Sequence, residues 1–118
     1  MSIANKYNTG QSVGTFNFQI PESHGWIRLG DLYENSDKDT VYIIMSYFIN
    51  TKGKFGDSPV IATPDCLVNI PAHMTDSMKE MLNDPDVYDA INNARLGFKI
   101  YSYENSYGTN YSITFVDL

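Results

Sequence analysis

The stretch Val41-Tyr-Ile-Ile-Met-Ser-Tyr-Phe-Ile49 reads as a β-strand, and it decides the class of the fold. Successive strand side chains alternate, so Val41, Ile43, Met45, Tyr47 and Ile49 take one face and Tyr42, Ile44, Ser46 and Phe48 the other. Both faces carry large apolar groups. A central strand is expected, with Tyr42 and Phe48 on its less buried face. Nine Tyr, six Phe and one Trp make the chain 14% aromatic, which favours pleated structure throughout.

On the N-terminal side, Ser12 to Ile20 alternates, with Phe16, Phe18 and Ile20 opposite Thr15, Asn17 and Gln19. Pro21 to Gly25 breaks the pattern, and Trp26 to Tyr33 resumes it. These two pieces read as one bent strand or as two. A polar turn spans Asn35 to Thr40. Past the central strand, Asn50 to Ser58 reads as a loop. Pro59 to Ile70 reads as a strand interrupted near Pro64, whose ring removes a ladder donor.

The period changes at Pro71. Met74, Met78 and Met81 recur at helical spacing, most simply as core packing. Ser77 and Glu80 would suit a capping box if the helix begins that late. Asp84-Pro85 reads as N-cap and first position of a second helix with a Val87, Ala90, Ile91, Ala94 stripe, ended by Gly97. Two final strands follow. Phe98 and Ile100 oppose Lys99, Tyr101 and Tyr103, and Tyr111, Ile113 and Phe115 oppose Ser112, Thr114 and Val116, across a loop from Glu104 to Asn110.

With 118 residues, one domain spanning 1–118 is expected, its polar residues 1–11 flexible. If the first two pieces are one strand, the order is three strands, a helical segment and two strands. That is the order of the oligonucleotide/oligosaccharide-binding (OB) fold, a mainly β, five-stranded Greek-key barrel with a helix between strands 3 and 4. A β-sandwich with an inserted helix fits the same order.

No apolar run reaches the ~18 to 20 residues of a membrane helix, and the first residues do not resemble a signal peptide. The single cysteine, Cys66, allows no internal disulfide. A cytoplasmic location without membrane contact is the expectation. Catalysis is not expected. Cys66, Asp65 and His73 allow a nucleophilic pair on paper, but a buried small residue near a helix start is the plainer reading. His24 reads as a loop residue. No repeated His or Cys spacing suggests a metal, and no Gly-rich loop suggests a nucleotide, so no cofactor is expected.

The net charge of −6 disfavours phosphate binding in general. Its distribution matters, however. Residues 72–94 hold five acids and one base, leaving nine acids and seven bases elsewhere. Single strands are held by stacking aromatics interleaved with cations, each stacked base contributing ~1 to 3 kcal/mol. The candidates for that chemistry are Trp26 with Arg28, Tyr42 and Phe48, the loop residues Lys52, Lys54 and Phe55, Lys99 with Tyr101 and Tyr103, and Tyr107 beside Gly108. Aromatic cross-strand pairs and edge lysines also serve sheets without any ligand.

The segment Asn92-Asn-Ala-Arg-Leu-Gly-Phe-Lys-Ile-Tyr-Ser-Tyr103 and the ending Tyr111-Ser-Ile-Thr-Phe-Val-Asp-Leu118 resemble the small single-stranded DNA-binding proteins of lactococcal phages. That resemblance implies the OB barrel, protection of single-stranded DNA in phage replication and recombination within the host cytoplasm, self-association into an oligomer, and a recombinase or replication protein as partner. One departure is visible: Phe115-Val-Asp-Leu118 follows a strand directly, without the long acidic tail of the bacterial proteins. A second class of function is a phage interaction module that inhibits or recruits a host enzyme, since exposed aromatics anchor protein interfaces. A carbohydrate-binding or structural β-domain is a third.

Overall fold

A computed structural model describes residues 15–37, 39–51 and 56–118. Among them the fold is mainly β, with seven strands in two sheets and three short α-helices. Strand β1 (Gly25–Arg28) runs straight into helix α1 (Leu29–Glu34). Strands β2 (Tyr42–Ile43), β3 (Ser46–Asn50), β4 (Ser58–Ala62) and β5 (Cys66–Asn69) follow. A 3-10 turn (Ala72–Met74), α2 (Thr75–Met81) and α3 (Pro85–Asn92) lead to β6 (Leu96–Asn105) and β7 (Gly108–Asp117).

One sheet has the order β1-β5-β4-β3, with β1 parallel to β5 and the other pairs antiparallel; the second has the order β2-β6-β7, all antiparallel. Helices α2 and α3 stand directly before the last two strands, as the sequence order requires. The closed five-stranded barrel is not formed among the described residues: the strands make two separate sheets.

The expected central strand explains why. It is broken at Ile44-Met45, where Ile44 N donates to Leu96 O and Met45 N donates to Ala62 O. Its first part therefore belongs to one sheet and its second to the other. The break shifts the alternation by one residue, so Ile43 is exposed while Ile44 and Tyr47 are both buried. The predicted Ile43 face is corrected accordingly. Gly97 makes the crossing possible, since a Cβ there would lie 2.6 Å from Tyr42 O.

Three other expectations are corrected. The alternating segment before Pro21 forms no strand over residues 15–20; its residues 12–14 lie outside the described residues, as do residues 1–11. The Trp26 to Tyr33 strand stops at Arg28, because Leu29, Leu32 and Tyr33 stand at i, i+3, i+4 and turn one helical stripe to the core. Gly30 lets that helix approach β7, where a Cβ would meet the Tyr111 ring at 2.7 Å. Finally, α3 ends at Asn92, not at Gly97: Ala94 takes the left-handed conformation (φ 55°), and Arg95 N donates to Ala90 O to close the turn.

The expected N-cap is present, with Asp84 accepting from Asp86 N at 2.9 Å ahead of Pro85. Ser77 is no cap, because α2 already begins at Thr75. Ile61, Val68 and Tyr47 of the first sheet, Phe98, Ile100 and Ile113 of the second, and Met78 and Ile91 of the helices share one core. Tyr47 donates to Met78 O at 2.8 Å inside it. A smaller cluster of Val60, Ala62 and Leu67 lies on the opposite face of the four-stranded sheet, with Phe18 and Ile20 packed over it. Residues 15–20 thus act as a strap, tied to α3 by Asn17 N donating to Asn92 Oδ1 and Asn92 Nδ2 donating to Thr15 O.

Candidate nucleic-acid interface

The β6–β7 hairpin is longer than predicted. Ten residues pair on each side in unbroken register, from Leu96 opposite Asp117 to Asn105 opposite Gly108. Only Ser106 and Tyr107 remain in the turn, where the sequence suggested a loop from Glu104 to Asn110. Asn105 Oδ1 accepts from Tyr107 N at 2.8 Å, and Gly108 adopts φ +115°, so each end of the tight turn has the residue its backbone requires.

Strand alternation then sorts the hairpin. Phe98, Ile100 and Ile113 enter the core, while Lys99, Tyr101 and Tyr103 share the other face. All residues from Tyr101 to Thr109 are exposed, so the outer half of the hairpin is an arm on a molecule measuring 51 × 30 × 27 Å. Tyr101 is 46% exposed, Tyr103 39% and Tyr107, at the tip, 95%. The Tyr101 and Tyr103 rings lie 6.1 Å apart and tilted by 41°. Their cross-strand partners are the small residues Ser112 and Asn110, which cannot cover them. Lys99, half-buried and opposite Thr114, supplies a cation at the base of this row. Glu104 sets a negative charge on the arm as well.

Trp26, Arg28 and Phe48 form a second set. They project from the face of the four-stranded sheet that turns away from the main core, as Lys99, Tyr101 and Tyr103 do from the other sheet. The register places Arg28, Asn69, Val60 and Phe48 in one row across all four strands, about 14 Å from end to end at the usual strand spacing. Phe18 and Ile20 occupy the middle of this face. An open groove of about 580 Å³ runs beside the strap, lined by Phe18, Phe48, Ile49 and Leu82 among others. The strap's role was invisible in the sequence, where Phe16, Phe18 and Ile20 looked like one more sheet strand.

Tyr42 serves packing instead. Its ring stacks on Phe98 with centroids 5.3 Å apart, and it is half-buried against the core. Lys52, Lys54 and Phe55 lie outside the described residues. The predicted residues therefore divide into an arm and a strapped sheet face, carried by different sheets.

Several other polar side chains bond within the fold. His24 Nε2 lies 2.9 Å from Thr63 O, and Cys66 Sγ lies 3.4 Å from Thr63 Oγ1, both in the region of the β4–β5 turn. His73 instead meets Ser112 Oγ at 3.2 Å. Lys79 forms an exposed ion pair with Asp57 at 2.8 Å, and that bond raises its pKa. Burial, with Tyr88 nearby, holds the Tyr47 hydroxyl above the ordinary phenol range. Tyr111 is raised too, chiefly by donating to Glu34 at 3.1 Å. Among the described residues, no group of three His, Cys, Asp or Glu could hold a metal, and no helix is long and apolar enough to cross a membrane. The chain matches no known family model, no curated protein and no solved structure.

Proposed function

We propose that this protein binds single-stranded DNA without sequence preference. The observation that carries the reading is the arm: three exposed tyrosines on one hairpin, two of them side by side in a row with Lys99. Bases would stack on Tyr101, Tyr103 and Tyr107, and Lys99 would meet a phosphate. Trp26, Arg28 and Phe48 offer a second contact, and Lys52, Lys54 and Phe55 are proposed as contacts from their charge and ring chemistry alone. The acidity concentrated in residues 72–94 belongs to the helical segment and leaves the strands less repulsive to phosphate.

In this reading the two sheets, joined through the broken 42–50 segment and followed by helices and a terminal hairpin, are an opened variant of the OB barrel. The biological setting would be phage replication or recombination in the host cytoplasm, alongside a recombinase or replication protein.

The test is fluorescence anisotropy with an oligothymidine of about 30 nucleotides, long enough for a site of the size such proteins occupy, against a duplex of equal length. Binding to the single strand alone supports the proposal. No binding to either, even at low salt, overturns it and assigns the exposed aromatics to a protein partner, the alternative of a module that inhibits or recruits a host enzyme.

A further inference from the structure

Strand β7 is the edge of its sheet, and the hairpin register shows which of its backbone groups are unpaired. The two-residue turn makes Asn105 and Gly108 a hydrogen-bonded pair, and Leu118 N donates to Arg95 O at 2.8 Å in the same register. Antiparallel pairs alternate between bonded and non-bonded. The even-numbered residues of β7 therefore bond β6. Thr109, Tyr111, Ile113, Phe115 and Asp117 point their N–H and C=O groups outward. Among the described residues, no backbone group from another element pairs with them. Helix α1 meets β7 through the Tyr111 side chain, on the core face.

Proteins blunt such edges with proline, lysine, bulges or short strands. This edge has none of these: it is ten residues long, regular in register, and Asp117 is its only charge. It is also self-complementary. An antiparallel copy centred on Ile113 sets Ile113 against Ile113, Tyr111 against Phe115 and Thr109 against Asp117. All five outward residues of each copy then exchange backbone bonds. No like charges oppose each other, and the Tyr–Phe pairs are of the kind that stabilises cross-strand contacts.

We infer that β7 is a dimerisation edge and that its occupant is the β7 of a second copy. The result is a six-stranded sheet in the order β2-β6-β7-β7-β6-β2. The two-fold axis is perpendicular to this sheet, so the Tyr101 and Tyr103 rows of both copies lie on the same face. The dimer does not depend on DNA binding.

The test combines mass and amide exchange on the full chain. Light scattering should give twice the 13.3 kDa chain mass at high concentration. Thr114→Glu places an anion on an exposed site opposite Lys99, where the monomer tolerates it, but in the dimer it faces the partner's Ser112 and lies close to the same substitution in the partner. The variant should run at the chain mass with a single cooperative thermal transition that, unlike the wild type's, does not rise with protein concentration. In the wild-type dimer, amides of Thr109, Tyr111, Ile113, Phe115 and Asp117 should exchange at least about tenfold more slowly than in the variant, while Asn110, Ser112 and Val116 are protected in both. A wild-type monomer at high concentration overturns the inference. So does a dimer whose odd-numbered β7 amides still exchange freely.

Discussion

Gly97 shows how much one side chain would disturb at the crossing of β2 and β6. Ala there must displace a backbone carbonyl only 2.6 Å from its Cβ. Gly97→Ala should cost about 1 to 3 kcal/mol, the usual penalty of overpacking, read as a lower urea midpoint. Tyr47 carries a pH dependence. Its pKa is raised in the fold, so the neutral hydroxyl is the form that the native state favours. Its contribution is complete below about pH 10, the unfolded phenol value, and is lost as pH rises toward the higher native value. Urea midpoints should fall above about pH 10, and fall less steeply in Tyr47→Phe. That variant also loses the bond to Met78 O, a net cost of about 1 kcal/mol at neutral pH. On the arm, Tyr101→Ala and Tyr103→Ala should each weaken oligothymidine binding by about 1 to 3 kcal/mol. Their melting temperatures should stay close to wild type, because neither ring is in the core. The core roles of Phe98, Ile100 and Ile113 were legible from alternation alone. The packing of Tyr42 on Phe98 was not, since it depends on where the strand breaks.

Helix α3 starts where Asp84-Pro85 said it would, because an N-cap acceptor and a fixed φ are local causes. Asp84→Ala should cost about 0.5 to 2 kcal/mol by circular dichroism melts. The end of α3 and the start of α2 were misread because several residues there satisfy the same local rule. Ala94 accepts the left-handed turn that Gly97 seemed suited to, while Gly97 is needed inside β6. The segment 15–20 makes the same point at larger size. Phe16, Phe18 and Ile20 alternate as a strand does, yet here alternation serves to pack a strap on Tyr88, Tyr47 and the small Val60 cluster. A two-residue period reports one buried side, and packing alone decides whether the backbone joins a ladder.

For the molecule as a whole, charge sets the strongest constraint on the proposed activity. The described cations are Arg28, Lys79, Arg95 and Lys99, and Lys79 is already paired with Asp57. With Lys52 and Lys54 added to Arg28 and Lys99, about four phosphates can be met, so log K should fall with log salt at a slope no steeper than about −3. Titrations at several salt concentrations measure it, and a steeper slope would point to a different surface. By itself the sequence determined the β character, the helices before the final hairpin, that hairpin and its two faces. Each follows from periodicity and caps acting over a few neighbouring residues. Only the tertiary structure decided that the 42–50 segment serves two sheets, that β1 pairs in parallel with β5, and that residues 15–20 strap a face. It also separated Trp26, Arg28 and Phe48 from the tyrosine arm. Those outcomes rest on hydrogen bonds and contacts between residues far apart in the chain, and a local pattern cannot specify which distant strand completes a ladder.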